Sequence, residues 1–128
     1  MELGFSKIIE CGFEEAISRT TSAIVAVGFG IVSDIDVAAT FKAKLGVDYR
    51  PYRILGACNP GLAKKALDEM PEIGLFIPCN VTVEQVEGGI KVMAIDPLAA
   101  LAVAGPNAVL EEVVNDARPR LQEAIASL

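Results

Sequence analysis

The stretch that most constrains the fold is an alternating segment, residues 81–95. Val81 and Val83 alternate with polar residues up to the sequence Glu87-Gly88-Gly89, after which residues 90–95 are largely apolar again. A period of two is typical of a β-strand with one buried face, and a glycine pair between two such runs predicts a tight hairpin. Because the strands of a hairpin pair antiparallel, we expect a sheet that is mainly antiparallel.

The C-terminal segment predicts a long amphipathic helix. Its apolar residues recur every three or four positions and form one stripe, which consists of Leu110, Val113, Val114, Ala117, Leu121, Ala124, Ile125 and Leu128. Pro119 lies inside this stripe and is expected to kink or split the helix. Together with the hairpin, the stripe favours an α+β fold: one domain over residues 1–128, with two layers and the C-terminal helix packed on the sheet.

Two Cys-Asn pairs occur where an apolar run meets polar chain: Cys58-Asn59 and Cys79-Asn80. Asn59 is a favourable helix N-cap and Pro60 suits the first helical position, so a helix is predicted to begin directly after Cys58. The partial positive charge of that helix end would favour the thiolate of Cys58. Because one sheet places similar strand ends on one edge, we expect Cys58 and Cys79 to lie close together.

The composition excludes several classes of function. Histidine is absent, which removes Ser-His and Cys-His dyads and every histidine metal site. Tryptophan is absent, aromatic residues make up 5% and the net charge is −6, so we expect neither nucleic acid nor a membrane as partner. Three cysteines, no evident signal peptide and no span-length apolar run predict a cytoplasmic protein with reduced thiols.

The motifs together resemble the domain-of-unknown-function 302 family, and the resemblance covers nearly the whole chain. It is carried by residues 29–36, by Gly-Ala-Cys-Asn-Pro at 56–60 and by Pro-Cys-Asn at 78–80. The resemblance implies a curved, TATA-binding-protein-like antiparallel sheet with a long C-terminal helix across it. It also implies a homodimer, which the high apolar fraction of so short a chain favours too. It implies no catalytic residue, because no activity of the family is established.

The first candidate function is binding of a small ligand, an anion or a soft metal near the two motifs. The thiolates of Cys58 and Cys79 could hold a soft ion such as Cu(I) or Zn(II). An anion could instead bind at the predicted helix N-terminus with help from arginine and asparagine side chains. The candidate ligand-binding residues are therefore Cys58, Asn59, Cys79, Asn80, Arg53 and Arg50.

Two alternatives remain open at this point. The chain could be a thiol redox enzyme or sensor in which Cys58 is the nucleophile and Cys79 the resolving thiol. It could also be a structural or interaction module whose two cysteines are ordinary buried core. The sequence indicates neither whether the protein is an enzyme nor whether it uses a cofactor.

Overall fold

The computed structural model describes residues 3–128. Short connections join its elements, which follow the chain in this order: β1 (Gly4–Ile9), α1 (Phe13–Ala26), β2 (Gly30–Asp36), α2 (Val37–Leu45), β3 (Tyr52–Cys58), α3 (Pro60–Glu69), a 3₁₀ helix (Pro71–Phe76), β4 (Cys79–Val86), β5 (Gly89–Ile95), α4 (Leu98–Ala104) and α5 (Ala108–Ala126).

The five strands form one open sheet in the order β1-β5-β4-β3-β2, and every neighbouring pair is antiparallel. The predicted hairpin is β4–β5, with Val86 opposite Gly89 across the turn. Gly88 and Gly89 have φ angles of 91° and 150°, a region that side chains other than glycine rarely adopt. The α+β prediction with a mainly antiparallel sheet is confirmed.

Helix α1 connects the two edge strands and therefore crosses the whole sheet. Its 14 residues make a helix roughly 21 Å long at 1.5 Å per residue. The four gaps between five strands add up to roughly 19 Å at the usual strand spacing. The length of α1 thus matches the width that it has to cover.

One face of the sheet packs against α1 and α5 and forms the main core. Leu55, Val81, Val83, Val92 and Ala94 point to this side from the three inner strands and are all buried. Buried residues of the two helices complete the cluster, among them Ala16, Ile24, Ala117, Leu121 and Ile125. The predicted packing of the C-terminal helix on the sheet is therefore confirmed.

Pro119 does not split α5, which runs without a break from Ala108 to Ala126. A proline removes one backbone hydrogen bond, the one to the carbonyl four residues earlier. That carbonyl belongs to Asn115, and both Asn115 and Pro119 are exposed, so water can satisfy it. Ala117 and Leu121, on the buried side, keep the helix on the sheet across this position.

The opposite face of the sheet is only partly covered. Helix α2 has no buried residue, and with the following loop it lies over the end of the sheet near β2 and β3. Tyr49 links the two, because its ring lies 5.0 Å from the Phe41 ring and 6.4 Å from the Tyr52 ring between centroids. Within residues 3–128, no helix is both long and apolar enough to cross a membrane.

Gly56 lies on this second face, in the middle of β3, and its neighbours approach very closely. A Cβ atom placed there would lie 2.1 Å from Ser33 Oγ and 2.7 Å from Pro78 Cγ. We expect Gly56→Ala to lower the free energy of unfolding by about 1–3 kcal/mol, the usual cost of overpacking. Combining it with Ser33→Ala, which removes the nearest atom, should recover part of that loss in urea denaturation.

Gly61→Ala in α3 is the matched control for this substitution. The nearest atom to a Cβ at Gly61 is Asn59 Oδ1 at 3.4 Å, and the position is helical. Alanine should therefore be neutral or stabilising at this position. A Gly56→Ala protein as stable as the unchanged chain would contradict the close packing described here.

Candidate functional site

A cavity of about 80 Å³ lies where the ends of β3 and β4 meet the helices. It is enclosed by β3 and β4 on one side and by α3, the 3₁₀ helix, α4 and α5 on the others. Nearly all of its lining residues are apolar: Phe29, Ala57, Leu62, Ala63, Ala66, Ile73, Phe76, Ile77, Pro97, Ala100, Leu101, Leu110, Val113, Val114 and Ala117. Cys58, Asn59 and Cys79 complete the wall.

Cys58 reaches the cavity because β3 ends at this residue and α3 begins two residues later. Asn59 makes the turn, since its side-chain oxygen accepts a hydrogen bond from the Leu62 backbone N–H at 3.1 Å. Its side-chain nitrogen donates to the Gly28 carbonyl at 3.0 Å. Both polar atoms of the Asn59 side chain are therefore engaged in hydrogen bonds. One forms the N-cap that the sequence predicts, and the other binds the turn before β2.

Cys79 reaches the same cavity from the first position of β4. The strand register sets it opposite Ala57, the residue next to Cys58, so the two cysteines lie on neighbouring strand ends. Although part of Cys79 is accessible, burial raises the pKa of its thiol to about 11, and the nearby Cys58 contributes to the same shift. Cys79 is therefore a neutral thiol at physiological pH.

The other predicted ligand residues lie elsewhere. Asn80 is exposed and pairs with Gly56 on the opposite face of the sheet. Arg53 lies five residues before Cys58 in the same strand, which puts it roughly 16 Å away at the usual rise per residue. Arg50 lies beyond it, at the far end of the sheet, where it contacts Glu84 and the Tyr49 ring. The structure thus brings Cys58, Asn59 and Cys79 together and leaves the other three apart.

Both arginines are already engaged in ion pairs at their own positions. Arg53 donates two hydrogen bonds to Asp34, one of them from Nε at 2.8 Å, and lies 3.6 Å from Glu14 on α1. These hydrogen bonds hold the pKa of Asp34 below its usual range. The Nε of Arg50 lies 2.6 Å from a Glu84 oxygen. Neither side chain is positioned to hold an anion at the start of α3.

Helix α4 closes the cavity and is the wall that sequence reasoning missed. None of its residues is buried, and it packs through Ala100, Leu101 and Ala104 against a small cluster that includes Ile73 and Leu110. Its sequence is uniformly apolar, so no periodicity marks the side that faces the protein. Asp96-Pro97 and the length of the apolar run indicate a helix from Leu98 to Ala104, but nothing in the run indicates a cavity.

An ion pair fixes the N-terminal end of α4. The Asp96 carboxylate accepts a hydrogen bond from the Leu98 backbone N–H at 3.1 Å. The Arg118 guanidinium on α5 donates to both carboxylate oxygens, at distances of 3.0 and 3.1 Å. The Asp96 carboxylate thus accepts the first backbone N–H of α4 and also joins this helix to α5 through Arg118.

The chemistry that this site supports is limited. Apart from the two thiols, no lining residue in the described part of the chain carries an ionisable side chain. Within residues 3–128, no group of three or more histidine, cysteine, aspartate or glutamate side chains could hold a metal ion. The arrangement therefore suits an uncharged guest.

The raised pKa of Cys79 makes a prediction about stability at alkaline pH. Between its ordinary value of 9.0 and about 11, the unfolded thiol ionises while the folded thiol stays neutral, so stability falls as pH rises through this window. The full loss above pH 11 is about 2–3 kcal/mol. Cys79→Val, which cannot ionise, should lack this loss in denaturation under reducing conditions, and Cys11→Val should keep it. An equal loss in both variants would contradict the assignment.

Comparisons with known proteins place the chain in a family. The family model described as Domain of unknown function DUF302 matches residues 5–128. A crystal structure of the uncharacterized conserved protein DUF302 from Bacillus stearothermophilus superimposes with a TM-score of 0.88 at 27% sequence identity, and the match covers 98% of each chain. A comparison with curated proteins finds no match. The family match covers almost the entire sequence, and the chain therefore belongs to the DUF302 family.

Proposed function

We propose that the protein binds a small, uncharged, apolar molecule in the cavity beside Cys58 and Cys79. The observation that carries the proposal is the lining of that cavity, which is apolar apart from the two thiols and the Asn59 cap. A small guest in such a site gains roughly 25 cal/mol for every Å² of apolar surface removed from water. The few polar atoms at one end would orient the guest.

The anion and hard-cation versions of this function have less support. No arginine or lysine lies among the described lining residues, and Arg50 and Arg53 form ion pairs elsewhere. A charged guest would have to leave water for an apolar space without a compensating partner, which is costly. An uncharged guest avoids this penalty, and we therefore favour it.

The redox alternative lacks the groups that activate a thiol. No basic or cationic side chain lies among the described residues that line the cavity, whereas reactive cysteines occur in electropositive surroundings. The geometry therefore supports binding better than thiol exchange.

If the protein is instead a structural or interaction module, the cavity has no evident role. At ~24 cal/mol per Å³, an empty cavity of this size costs on the order of 2 kcal/mol. A larger residue at one of the several alanines in the wall, such as Ala63, Ala66 or Ala100, would fill it. If the protein binds no guest, filling the cavity would only raise its stability. If it does bind one, the same substitution would also remove the binding site.

Xenon, a small uncharged probe, tests this proposal directly. We expect xenon under pressure to shift the methyl NMR signals of cavity residues such as Ile73 and Leu101, because dry apolar cavities take up such guests. Ala100→Leu, which fills the cavity, should abolish the shifts and stabilise the chain. Ala102→Leu is the matched control, since Ala102 lies on the exposed side of the same helix. Shifts that persist unchanged in Ala100→Leu would exclude this cavity as the site.

The homodimer implied by the family resemblance stays a prediction. Sedimentation equilibrium at micromolar concentration should give twice the mass of the 13.5 kDa chain. A single species at the monomer mass would refute the dimer and leave the binding proposal intact.

A further inference from the structure

We propose that the outer edge of β1 is a docking site for an extended peptide segment of another protein, which adds to the sheet as a further strand. The groove between this edge and α5 would take alternate side chains of that segment. The cavity described above contacts α5 between Leu110 and Ala117, whereas this groove contacts its last turns. The inference is therefore independent of the proposed function.

The first argument is the row of backbone groups along β1. This strand is at the end of the sheet, and in the described part of the chain no strand pairs with its outer side. The Leu3 carbonyl accepts a hydrogen bond from the N–H of Asp96, just after β5. Because successive residues of an antiparallel pair alternate in direction, the N–H and C=O groups of Gly4, Ser6 and Ile8 point away from the sheet. Another extended strand matches the spacing of this row.

The second argument is the contrast with the opposite edge of the sheet. Strand β2 has a bulge between Ile31 and Ser33 and the exposed charge of Asp34, and bulges and charges protect an edge from pairing. Strand β1 has an unbroken register and neither an acidic residue nor a proline. Its one charged side chain, Lys7, is turned to α5, where Nζ donates to the Ala126 carbonyl at 3.1 Å. The β1 edge therefore lacks the usual protection.

The third argument is the groove beside this edge. A strand that pairs with β1 would turn every second side chain towards α5, because side chains alternate between the faces of a sheet. Apart from Lys7, the residues that line the groove carry no charge, so it fits uncharged, largely apolar side chains. These residues are Leu3, Gly4, Phe5, Ser6, Lys7, Met93, Gln122, Ile125 and Ala126.

The fourth argument is that a second copy of this chain would leave the groove unfilled. On the side of α5, β1 carries Phe5 and Lys7. The Phe5 side chain packs against the main core of its own chain, with the Arg118 guanidinium 5.4 Å from the ring centroid. Lys7 is hydrogen-bonded to its own α5. These side chains cannot enter the groove of another copy, whereas those of a free extended segment can, and we therefore favour the free segment.

The test titrates the ¹⁵N-labelled full-length chain with an acetylated and amidated hexapeptide of alternating threonine and valine, which matches the six residues of β1 in length. We expect NMR shifts at the amides of Gly4, Ser6 and Ile8, and slower hydrogen exchange of the same amides in the complex. The same peptide N-methylated at every residue has no backbone N–H donor and should not bind.

A substitution at the edge tests the same point in the protein. Ser6→Pro removes one outward N–H, and because this group does not pair with β5, the β1–β5 ladder keeps its hydrogen bonds. We expect peptide binding to weaken by roughly 2- to 10-fold, the effect of one lost hydrogen bond. Ser6→Ala keeps the N–H and is the matched control, which should bind the peptide as the unchanged chain does.

Several outcomes would overturn the inference. These are no shift at β1 up to millimolar peptide, equal binding of the N-methylated peptide, and shifts confined to β2. Shifts of the β1 amides with protein concentration alone would assign the edge to a second copy and would overturn it too. The comparison of the two peptides needs only the unchanged chain, so it decides the question even if Ser6→Pro fails to fold.

Discussion

The register between β3 and β4 is the constraint on which the rest of the structure depends. It sets Leu55 opposite Val81, and with Val83 on the same side the apolar positions of both strands face the helices. The same register sets Ala57 opposite Cys79, and both of these residues line the cavity. A slip of one residue would turn every one of these side chains to the other face. Core and site are therefore consequences of one pairing.

Gly56 shows how that register is kept. On the face away from the helices, Ser33 and Pro78 close over it so tightly that a β-carbon would overlap both. The glycine next to the motif thus serves packing between β2, β3 and the start of β4 rather than a ligand. This close packing lies directly behind the wall that carries Cys58 and Cys79, so it makes that wall rigid.

The sequence predicted those features that depend on local periodicity and capping. The β4–β5 alternation indicated the antiparallel sheet, and Asn59 indicated the start of α3. Arg53 is close to Cys58 along the chain but not in space, because the extended strand that contains both residues separates them. The cavity could not be predicted, because its walls come from six elements that are distant along the chain. In addition, α4 is apolar on all sides, so its sequence does not indicate which side faces the protein.

The walls of the cavity differ in how firmly they are held, and this difference bears on how a guest would exchange. The β3–β4 wall belongs to the sheet core, and α5 contributes six buried residues to the fold. Helix α4 contributes none and is tied at its start by Asp96 and Arg118. Moving α4 aside would expose only its half-buried alanines and Leu101 and the small cluster beneath them. Such an opening costs a fraction of the global unfolding free energy, so a guest can exchange without disturbing the sheet.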